Sequence, residues 1–301
     1  MTDNAYDMVK ASLAADSLAL GVHWIYDAGK IRSDYGRVDS LLAPGEDSYH
    51  PTGQKGGFTH YGDQTLVLLE SVSRPGGFDL EQFFRAWQEL FRGYTGYMDT
   101  ATKNTLKRIA AGKDAKSCGS LSNDIAGAGR IPPLVFALRH DPDALEKAVR
   151  DQTRMTHNDE ATVETAVFFA RVCLACLDGK QPSAAIKEVA EQGFAGSPVE
   201  MWALQGLAAA DRDSLDAVMQ FGQSCHTGEV FSGVVQIIAK YETDPGGAVI
   251  EAVMAGGDNA ARAGLVAQVL AAYAGMDDHM ERWFDGLIEK ERVQDLLDRI
   301  P

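Results

Sequence analysis

Apolar residues recur at helical spacing along almost the whole chain, and this periodicity restricts the fold more than any other feature of the sequence. It is clearest in DLEQFFRAWQELFRGY, where Phe83, Phe84 and Trp87 belong to a run of apolar residues spaced three and four apart. Similar stripes run through residues 163–176 and 283–297, whereas strand-type alternation is hard to find. The prolines fall mostly between the periodic runs. The pattern predicts an all-α fold.

The chain is long enough for one large helical domain. It has 301 residues, of which 45% are hydrophobic, so it can bury a sizeable core, and we expect a single domain over residues 1–301. Residues 27–59 interrupt the helical pattern, because they are rich in Gly, Ser, Asp and Pro and contain no periodic run. We expect a long loop there that crosses one face of the domain, and loops of that length are often functional.

Charge and composition limit the classes of partner. The formal net charge of −15 disfavours nucleic acid or an anionic membrane as the main partner and leaves a small molecule as the better expectation. No window of about eighteen residues is apolar and uncharged, which argues against a membrane span. The first residues, MTDNAYDMVKASLAADS, lack a basic segment ahead of an apolar core, so we expect a cytoplasmic protein. The sequence leaves the oligomeric state open.

Cys173 and Cys176 form a C-x-x-C pair inside the apolar run VFFARVCLACLDG. Such a spacing can indicate zinc or redox chemistry, but no second pair stands near it in the sequence to complete a site. We therefore expect both thiols to be buried as small apolar groups.

Two carboxylates stand on glycine turns at the start of apolar helices. HYGDQT places Asp63 before LVLLESV, and AGGDNAARAG places Asp258 before LVAQVLAAYAG. An aspartate there can simply cap free N–H groups. However, a helix that is apolar nearly all round is buried, and a buried carboxylate costs free energy unless a cation or several donors accompany it. Both residues are therefore candidates for a functional site.

Three further segments place polar residues beside apolar helices: KASLAADSLALGVHWIYD, SLSNDIAGAGR and MTHNDEATVETAVFFA. In the first segment, each polar residue has an alternative to a functional role. The aspartate could cap or back-bond a helix end, and the histidine could be satisfied within the core. Several polar turns of this kind predict one shared cleft lined by helix N-termini, which suits an anionic ligand. The polar residues of these segments are Asp16, His23, Ser122, Asn123, Asp124 and His157.

Five motifs in this order resemble the ADP-ribosylglycohydrolase family, which includes the dinitrogenase reductase-activating glycohydrolases. ADSLA…H at Ala15–His23 resembles the family's G-D-A-L-G…E, and GDQT at Gly62–Thr65 resembles its T-D-D-T. GRIPPL at Gly129–Leu134 resembles M-R-x-A-P-L, Thr156–His157 matches a threonine–histidine pair, and GGDNAA at Gly256–Ala261 resembles G-G-D-T-D-T. VHWIYD, HYGDQT and GGDNAARAG resemble the branch that includes the J1 crystallins of jellyfish lens. The resemblance spans nearly the whole chain and implies the family's all-α fold.

The resemblance also implies a pair of magnesium or manganese ions, held by the family's T-D-D and D-x-D-T motifs. Of those ligand positions this chain keeps Asp63 and Asp258. Hard divalent cations need several oxygen ligands, so we expect no metal, or at most one weakly bound Mg²⁺ at these two aspartates, and no dinuclear site. The positions that differ are Gly62, Gln64, Ala260 and Ala261, with Asn259 between the C-terminal ligand positions and His23 in the place of the family's glutamate.

The activity that the resemblance implies is hydrolysis of an N- or O-glycosidic bond to ribose, in an ADP-ribosyl or related nucleotide-like substrate. We expect Asp63 or Asp258 to activate water and His23 or His60 to protonate the leaving group. Arg262 lies four residues after Asp258, so we expect it to neutralise that carboxylate. The alternative is an inactive relative that binds ADP-ribose or a nucleotide, or that serves as a crystallin-like structural protein. The expected substrate-binding residues are Asp16, His60, Gln64, Ser122, Asn123, Asp124, His157, Asn259 and Arg262.

Overall fold

The computed structural model describes residues 3–300 and consists of α-helices joined by turns and one long loop. Among these residues the β-type pairings are two isolated bridges, Ser120–His157 and Asp124–His226. The all-α fold predicted from the periodicity is therefore confirmed. The helices are α1 (Asn4–Leu20), α2 (Ala28–Tyr35), α3 (His60–Val72), α4 (Leu80–Leu90), α5 (Thr100–Ala110), α6 (Ala126–Gly129), α7 (Pro132–Leu138), α8 (Pro142–Thr156), α9 (Glu160–Leu177), α10 (Pro182–Gly193), α11 (Pro198–Ala208), α12 (Ser214–Phe221), α13 (Thr227–Lys240), α14 (Pro245–Met254), α15 (Asn259–Ala274), α16 (Asp278–Asp285) and α17 (Lys290–Leu297).

Helices α1 and α15 form the centre of the molecule and lie against each other over most of their lengths. Both are buried on nearly all sides, as the continuous apolar character of their sequences predicts. Small residues allow this close approach; a Cβ placed on Gly264 would lie 4.0 Å from the carbonyl oxygen of Ser12. Helices α9, α13 and α14 pack around α15. Within residues 3–300, none of the helices combines the length and the apolar content that crossing a bilayer requires.

A long loop was predicted for residues 27–59, and this prediction is wrong for residues 28–35, which form α2. The Asp27 carboxylate caps this helix by accepting a hydrogen bond from the Lys30 N–H at 3.0 Å, and Ile31 anchors it through complete burial. Gly36 ends it with a φ of 71°, a left-handed conformation that favours glycine. Its one buried apolar residue is too weak a periodic signal to stand out in the sequence. Residues 37–59 contain no helix.

The C-x-x-C pair lies within α9, and both thiols are free and buried. Burial raises the pKa of Cys176 to about 12 and that of Cys173 well above its ordinary value, so neither sulfur favours the thiolate form that redox and metal chemistry need. The two cysteines pack as small apolar side chains, as expected.

Candidate active site

The N-termini of three helices meet at one buried cluster of acids and imidazoles. His60 is the first residue of α3, Asp99 caps α5 by accepting a hydrogen bond from the Thr102 N–H at 2.5 Å, and Asp258 directly precedes α15. His60 Nε2 lies 3.4 Å from Asp99 Oδ2, and His23 Nε2 lies 3.8 Å from Asp258 Oδ1. The structure therefore brings His23, His60 and Asp258 together in the kind of arrangement that the polar turns predict.

A turn of two glycines aims Asp258 into the interior. Gly256 and Gly257 have φ angles of 69° and 65°, and a Cβ on Gly257 would lie 2.2 Å from the carbonyl oxygen of Gln223. Asp258 is completely buried as a result. Its Oδ2 accepts a hydrogen bond from the Tyr61 hydroxyl at 3.4 Å, while its Oδ1 has no hydrogen-bond partner. An unsatisfied carboxyl oxygen at this depth leaves an acceptor or donor position available to a ligand.

Arg262 does not form the ion pair with Asp258 that its spacing predicted. Its guanidinium donates from Nη1 at 2.9 Å and from Nη2 at 2.6 Å to the carbonyl oxygen of Gly256. The left-handed glycine turn leaves this carbonyl within reach of the buried guanidinium, a geometry that i, i+4 spacing alone does not reveal. Arg262 therefore anchors the turn, and it acts on Asp258 only through its charge.

Asp124 and Asp258 form a buried carboxylate pair. Together with Cys225 they present ligand atoms that all lie within 4.8 Å of one another. Burial, followed by the charge of Asp124, raises the pKa of Asp258 well above its ordinary value. Burial and the charge of Asp99 raise the pKa of Asp124 to about 6, against a stabilising hydrogen bond from the Ala126 N–H. The pair therefore holds a neutral carboxylic acid at Asp258 beside a carboxylate that ionises near neutral pH.

His23, His50 and His60 form a second cluster beside this pair, and each is at most 4% exposed. The centroids of their rings lie 5.3 Å apart for His23 and His50, 5.5 Å for His50 and His60, and 6.2 Å for His23 and His60. His23 Nδ1 lies 3.1 Å from Oδ1 of Asn259, whose amide nitrogen donates to two backbone carbonyl oxygens. The Asn259 amide is thereby oriented so that its oxygen faces His23, and the proton of His23 belongs on Nδ1. Burial lowers the pKa of His23 well below its ordinary value and that of His50 to about 3, so both rings are neutral.

Aromatic rings cover these imidazoles on the side that opens to solvent. Trp24 stacks on His23 at a centroid distance of 4.3 Å and meets Tyr97 and Tyr49 edge-on at 4.7 and 5.1 Å. The Trp24 backbone has a φ of 62°, which is a strained conformation for a bulky side chain and is common at functional sites. A cavity of about 230 Å³ opens beside it and reaches His23 and Tyr49. Tyr49 and Tyr26 are more than half exposed.

The expected substrate-binding residues of the 122–124 segment divide between the interior and the surface. Ser122 is partly exposed, and its hydroxyl accepts a hydrogen bond from the Asp124 N–H at 3.3 Å. Asn123 is exposed, and its side-chain oxygen lies 2.8 Å from His226 Nδ1. These two side chains hold the turn that delivers Asp124, which alone of the three is buried.

His157 is buried outside the three-histidine cluster and is tied to its own chain neighbour. Its Nδ1 lies 2.8 Å from the Thr156 hydroxyl, and its Nε2 has no partner. Burial and the nearby charge of Arg130 lower its pKa to about 3. It is therefore a neutral core histidine at the back of the site.

Gln64 faces away from the cavity. Its Oε1 accepts hydrogen bonds from Trp87 Nε1 at 2.7 Å and from Arg130 Nη1 at 2.8 Å, and its amide nitrogen donates to the His60 carbonyl oxygen at 2.9 Å. Each polar atom of this side chain already has a protein partner, so the expected contact of Gln64 with a substrate is not present in this arrangement.

Asp63 does not join Asp258. It accepts a hydrogen bond from the Tyr94 hydroxyl, and burial raises its pKa to about 6. Among the described residues the two aspartates share no hydrogen-bond partner, and Asp63 belongs to neither of the clusters described above. A single weakly bound Mg²⁺ at Asp63 and Asp258 stays a prediction.

Asp16 lies inside α1, one turn before its end, and neither caps nor back-bonds that helix. Its carboxylate instead accepts two hydrogen bonds from Thr59, from the backbone N–H at 2.8 Å and from the hydroxyl at 2.5 Å. Thr59 is the N-cap of α3, so Asp16 fixes the start of the helix that carries His60. Burial raises the pKa of Asp16 to about 6, against the lowering effect of these hydrogen bonds.

Three of the positions at which the resemblance places metal ligands come together around a void that does not fit a pair of cations. Gly62, Ala260 and Ala261 line this void of about 20 Å³ and offer it no ligand atom, and the one carboxylate beside them belongs to Asp16. Both oxygens of that carboxylate already bind Thr59. The space suffices for about one water molecule, and two cations also need several anionic oxygens.

A larger groove lies elsewhere on the molecule, between the ends of α3 and α17. It has a volume of about 820 Å³ and contains Glu70, Arg74 and Arg299. None of the buried acids or imidazoles described above lines it. The smaller, aromatic cavity is lined by His23, whose unpartnered Nε2 lies 3.8 Å from the unpartnered Oδ1 of Asp258, and we therefore place the active site there.

Comparison with known proteins agrees with this architecture. A family model described as ADP-ribosylglycohydrolase matches residues 1–301. Crystallin J1A of Tripedalia cystophora is 27% identical over 293 residues, covering 90% of this chain and 89% of its own, and Crystallin J1B of the same organism is 24% identical over 317 positions, covering 99% and 96%. A solved structure titled "ADP-ribosylglycohydrolase-related protein complex" superposes with a TM-score of 0.75 at 20% identity, covering 99% of this chain and 96% of that one, and it shows the same fold. The chain belongs to the ADP-ribosylglycohydrolase family.

Proposed function

We propose that this protein hydrolyses a glycosidic bond to ribose in an ADP-ribosyl or related nucleotide-like compound, without the paired cations that its family resemblance implies. The observation that carries the proposal is the buried pair of Asp124 and Asp258, which have ligand oxygens within 4.8 Å of each other. Asp258 lies 3.8 Å from His23, and His23 lines the aromatic cavity. Family membership supports the class of reaction. The substrate class rests on the resemblance and on the aromatic rings of Trp24 and Tyr49, which line the cavity.

The pair supplies an acid and a nucleophile. Asp258, kept neutral by burial, donates its proton to the leaving group while the bond to the anomeric carbon breaks. An oxygen of each group lies within 4.8 Å of one on the other, which is short of the ~6.5–9.5 Å that leaves room for a water molecule between the carboxyl groups of inverting glycosidases. The ionised Asp124 therefore attacks the anomeric carbon directly and forms a ribosyl ester. Water, deprotonated by the Asp258 carboxylate, then cleaves this ester and restores both groups.

His23 has a positioning role in this scheme. Its pKa is too low for it to protonate a leaving group at neutral pH, which reverses the roles first expected for histidine and aspartate. In the metal-free protein, the lone pair of its free Nε2 lies 3.8 Å from Asp258 Oδ1 and orients the proton of that acid. The exposed ring of Tyr49 and the Trp24 ring beside it offer faces and edges on which the planar base of a nucleotide-like substrate can stack.

The test is turnover of ADP-ribosylated peptides, nucleosides and ADP-ribose conjugates by the purified full chain, in chelator and with added Mg²⁺. Release of the leaving group is followed by chromatography and mass spectrometry. We expect turnover in chelator, and we expect Asp258→Asn and Asp124→Asn each to lower kcat by roughly 10²–10⁴. Asp211→Asn, at an exposed position, is the matched control.

The pH profile and the intermediate add sharper criteria. Because Asp124 must be ionised to attack, kcat/KM should fall as the pH drops through about 6. Acid quenching during turnover should trap a ribosyl mass on the peptide that contains Asp124. Absence of turnover with every ribosyl substrate would refute the proposal, and turnover that requires Mg²⁺ would refute its independence of paired cations.

A second candidate is a non-catalytic binding or structural protein. It is favoured by the curated relatives, which are named crystallins. In that case ADP-ribose or a nucleotide should raise the melting temperature without being consumed, since a ligand at about 100 times its Kd stabilises the native state by about 2.7 kcal/mol. A purely structural protein would show neither turnover nor a thermal shift.

A further inference from the structure

Three buried histidines converge from separate parts of the chain with ring nitrogens that no protein group satisfies. His23 follows α1, His50 belongs to the long loop, and His60 begins α3. His23 Nε2, His50 Nε2 and His60 Nδ1 lack a hydrogen-bond partner, and His60 Nε2 has only Asp99 Oδ2 near it, at 3.4 Å. Buried polar atoms are normally paired, so an unpaired set at one place indicates a missing common partner.

The distances between these side chains suit a single small cation. One ring nitrogen from each of the three residues can be chosen so that all lie within 4.8 Å of one another. Three nitrogens at ~2.0–2.1 Å from one tetrahedral Zn²⁺ lie about 3.3 Å apart, so closure needs displacements of about 1.5 Å or less. Side-chain rotation in the loop that carries His50 can supply this movement.

The surroundings prepare the rings as metal ligands. The contact with Asn259 keeps the proton of His23 on Nδ1 and leaves the lone pair of Nε2 facing the cluster. Asp99 Oδ2 lies 3.4 Å from His60 Nε2 and can accept a hydrogen bond from a proton on that nitrogen, which leaves Nδ1 of His60 as the ligand atom. Carboxylates and amides in this position behind an imidazole are typical of metal-binding histidines.

We propose that His23, His50 and His60 bind one Zn²⁺ ion through one ring nitrogen each, with the fourth position directed towards Asp258. Three imidazoles select a transition metal over Mg²⁺, whose preferred ligands are oxygens. This site is distinct from the paired-cation site of the family, because its three histidine ligands stand at positions where the resemblance places no metal ligand. In the metal-bound protein, Zn²⁺ replaces Asp258 as the partner of His23 Nε2, and the site does not rest on the proposed hydrolysis, which is tested in chelator.

The experiment measures metal binding by the full chain without substrate. Chelator-treated protein is titrated calorimetrically with Zn²⁺ and, in parallel, with Mg²⁺, and bound metal is counted by mass spectrometry after buffer exchange. We expect one Zn²⁺ per chain and no retained Mg²⁺. His50→Gln should weaken Zn²⁺ binding at least about 100-fold. His140→Gln, at an exposed histidine outside the cluster, should bind like the wild type.

Zinc-edge X-ray absorption of the wild-type protein keeps the proposal testable if His50→Gln does not fold. It should show three imidazole ligands, and any other number overturns the assignment. Failure of the wild type to retain Zn²⁺, or unchanged affinity in folded His50→Gln, also overturns it. Because no substrate enters these measurements, failure of the metal site and failure of hydrolysis are separate results.

Discussion

Replacing Asp16 by asparagine should remove a large pH dependence from the stability of this protein. Asp16 is buried within α1, and burial raises the pKa of its carboxyl from 3.8 to about 6. Asparagine keeps the shape and can still bond to Thr59, because the threonine hydroxyl can accept as well as donate. The substitution therefore removes the titration while preserving the cap of α3.

The sign and size of the effect follow from linkage. Below pH 3.8 the carboxyl is protonated in both the folded and the unfolded chain, and its ionisation costs nothing. Between 3.8 and about 6 only the unfolded chain ionises, so the free energy of unfolding falls as the pH rises. Above about 6 the loss is complete, and the difference between the two pKa values corresponds to about 3 kcal/mol.

The assay is urea unfolding of chelator-treated protein, followed by circular dichroism at several pH values between about 4 and about 7. The wild type should lose about 3 kcal/mol relative to Asp16→Asn across this interval. Buried Asp124 and Asp258 titrate in both proteins, so their contributions cancel in the difference, whereas the charge of Asp63 helps to raise the pKa of Asp16 and belongs to the measured effect. Asp211→Asn, at an exposed site, should follow the wild-type curve.

Parallel curves for the wild type and Asp16→Asn would refute the reasoning. They would show that the two hydrogen bonds from Thr59 offset the cost of burying the charge completely. A constant offset between the curves carries no such meaning, since it reports only the strength of the hydrogen bonds that asparagine retains.

Two further substitutions test the packing around the site by urea unfolding. Gly62→Ala should lower the free energy of unfolding by about 1–3 kcal/mol, because its Cβ would lie 2.4 Å from Asp16 Oδ2 and 2.7 Å from Phe58 Cβ. Helix propensity alone predicts that the same substitution stabilises the protein by about 1 kcal/mol. A more stable variant would therefore contradict the packing argument. Arg262→Met should cost about 1–3 kcal/mol by leaving the Gly256 carbonyl unpaired in the interior, whereas Arg292→Met, which removes surface ion pairs, should cost less than about 1 kcal/mol.

Periodicity predicts this fold well because the helices are long and their burial is strongly patterned. Helix α1 is apolar nearly all round, and its buried position follows from that composition. Helix α2 escapes prediction because it is short, has a single buried residue and is set by the Asp27 cap and Gly36. Local hydrogen bonds determine such a helix, and a search for apolar stripes does not detect them.

The candidate site is less predictable, because spacing reveals which residues start helices and not what their side chains meet. Asp258, His23 and His60 could be singled out from the sequence, whereas His50 stands in an aperiodic loop and only the tertiary fold brings it to the others. Asp99 carries only an ordinary helix-capping signal. Its role appears when the N-termini of α3 and α5 meet.

The contact between Asp16 and Gly62 bears on how the site differs from the paired-cation site of the family. Where the resemblance places a threonine ligand, any side chain at Gly62 would enter the space held by the Asp16 carboxylate. Larger side chains at Ala260 and Ala261, introduced to restore the missing ligands, would therefore enter a void of about 20 Å³. The carboxylate of Asp16 beside them already accepts two hydrogen bonds from Thr59. The acidic pair that remains free, Asp124 and Asp258, lies with the imidazoles instead, and new chemistry in this protein is to be sought there.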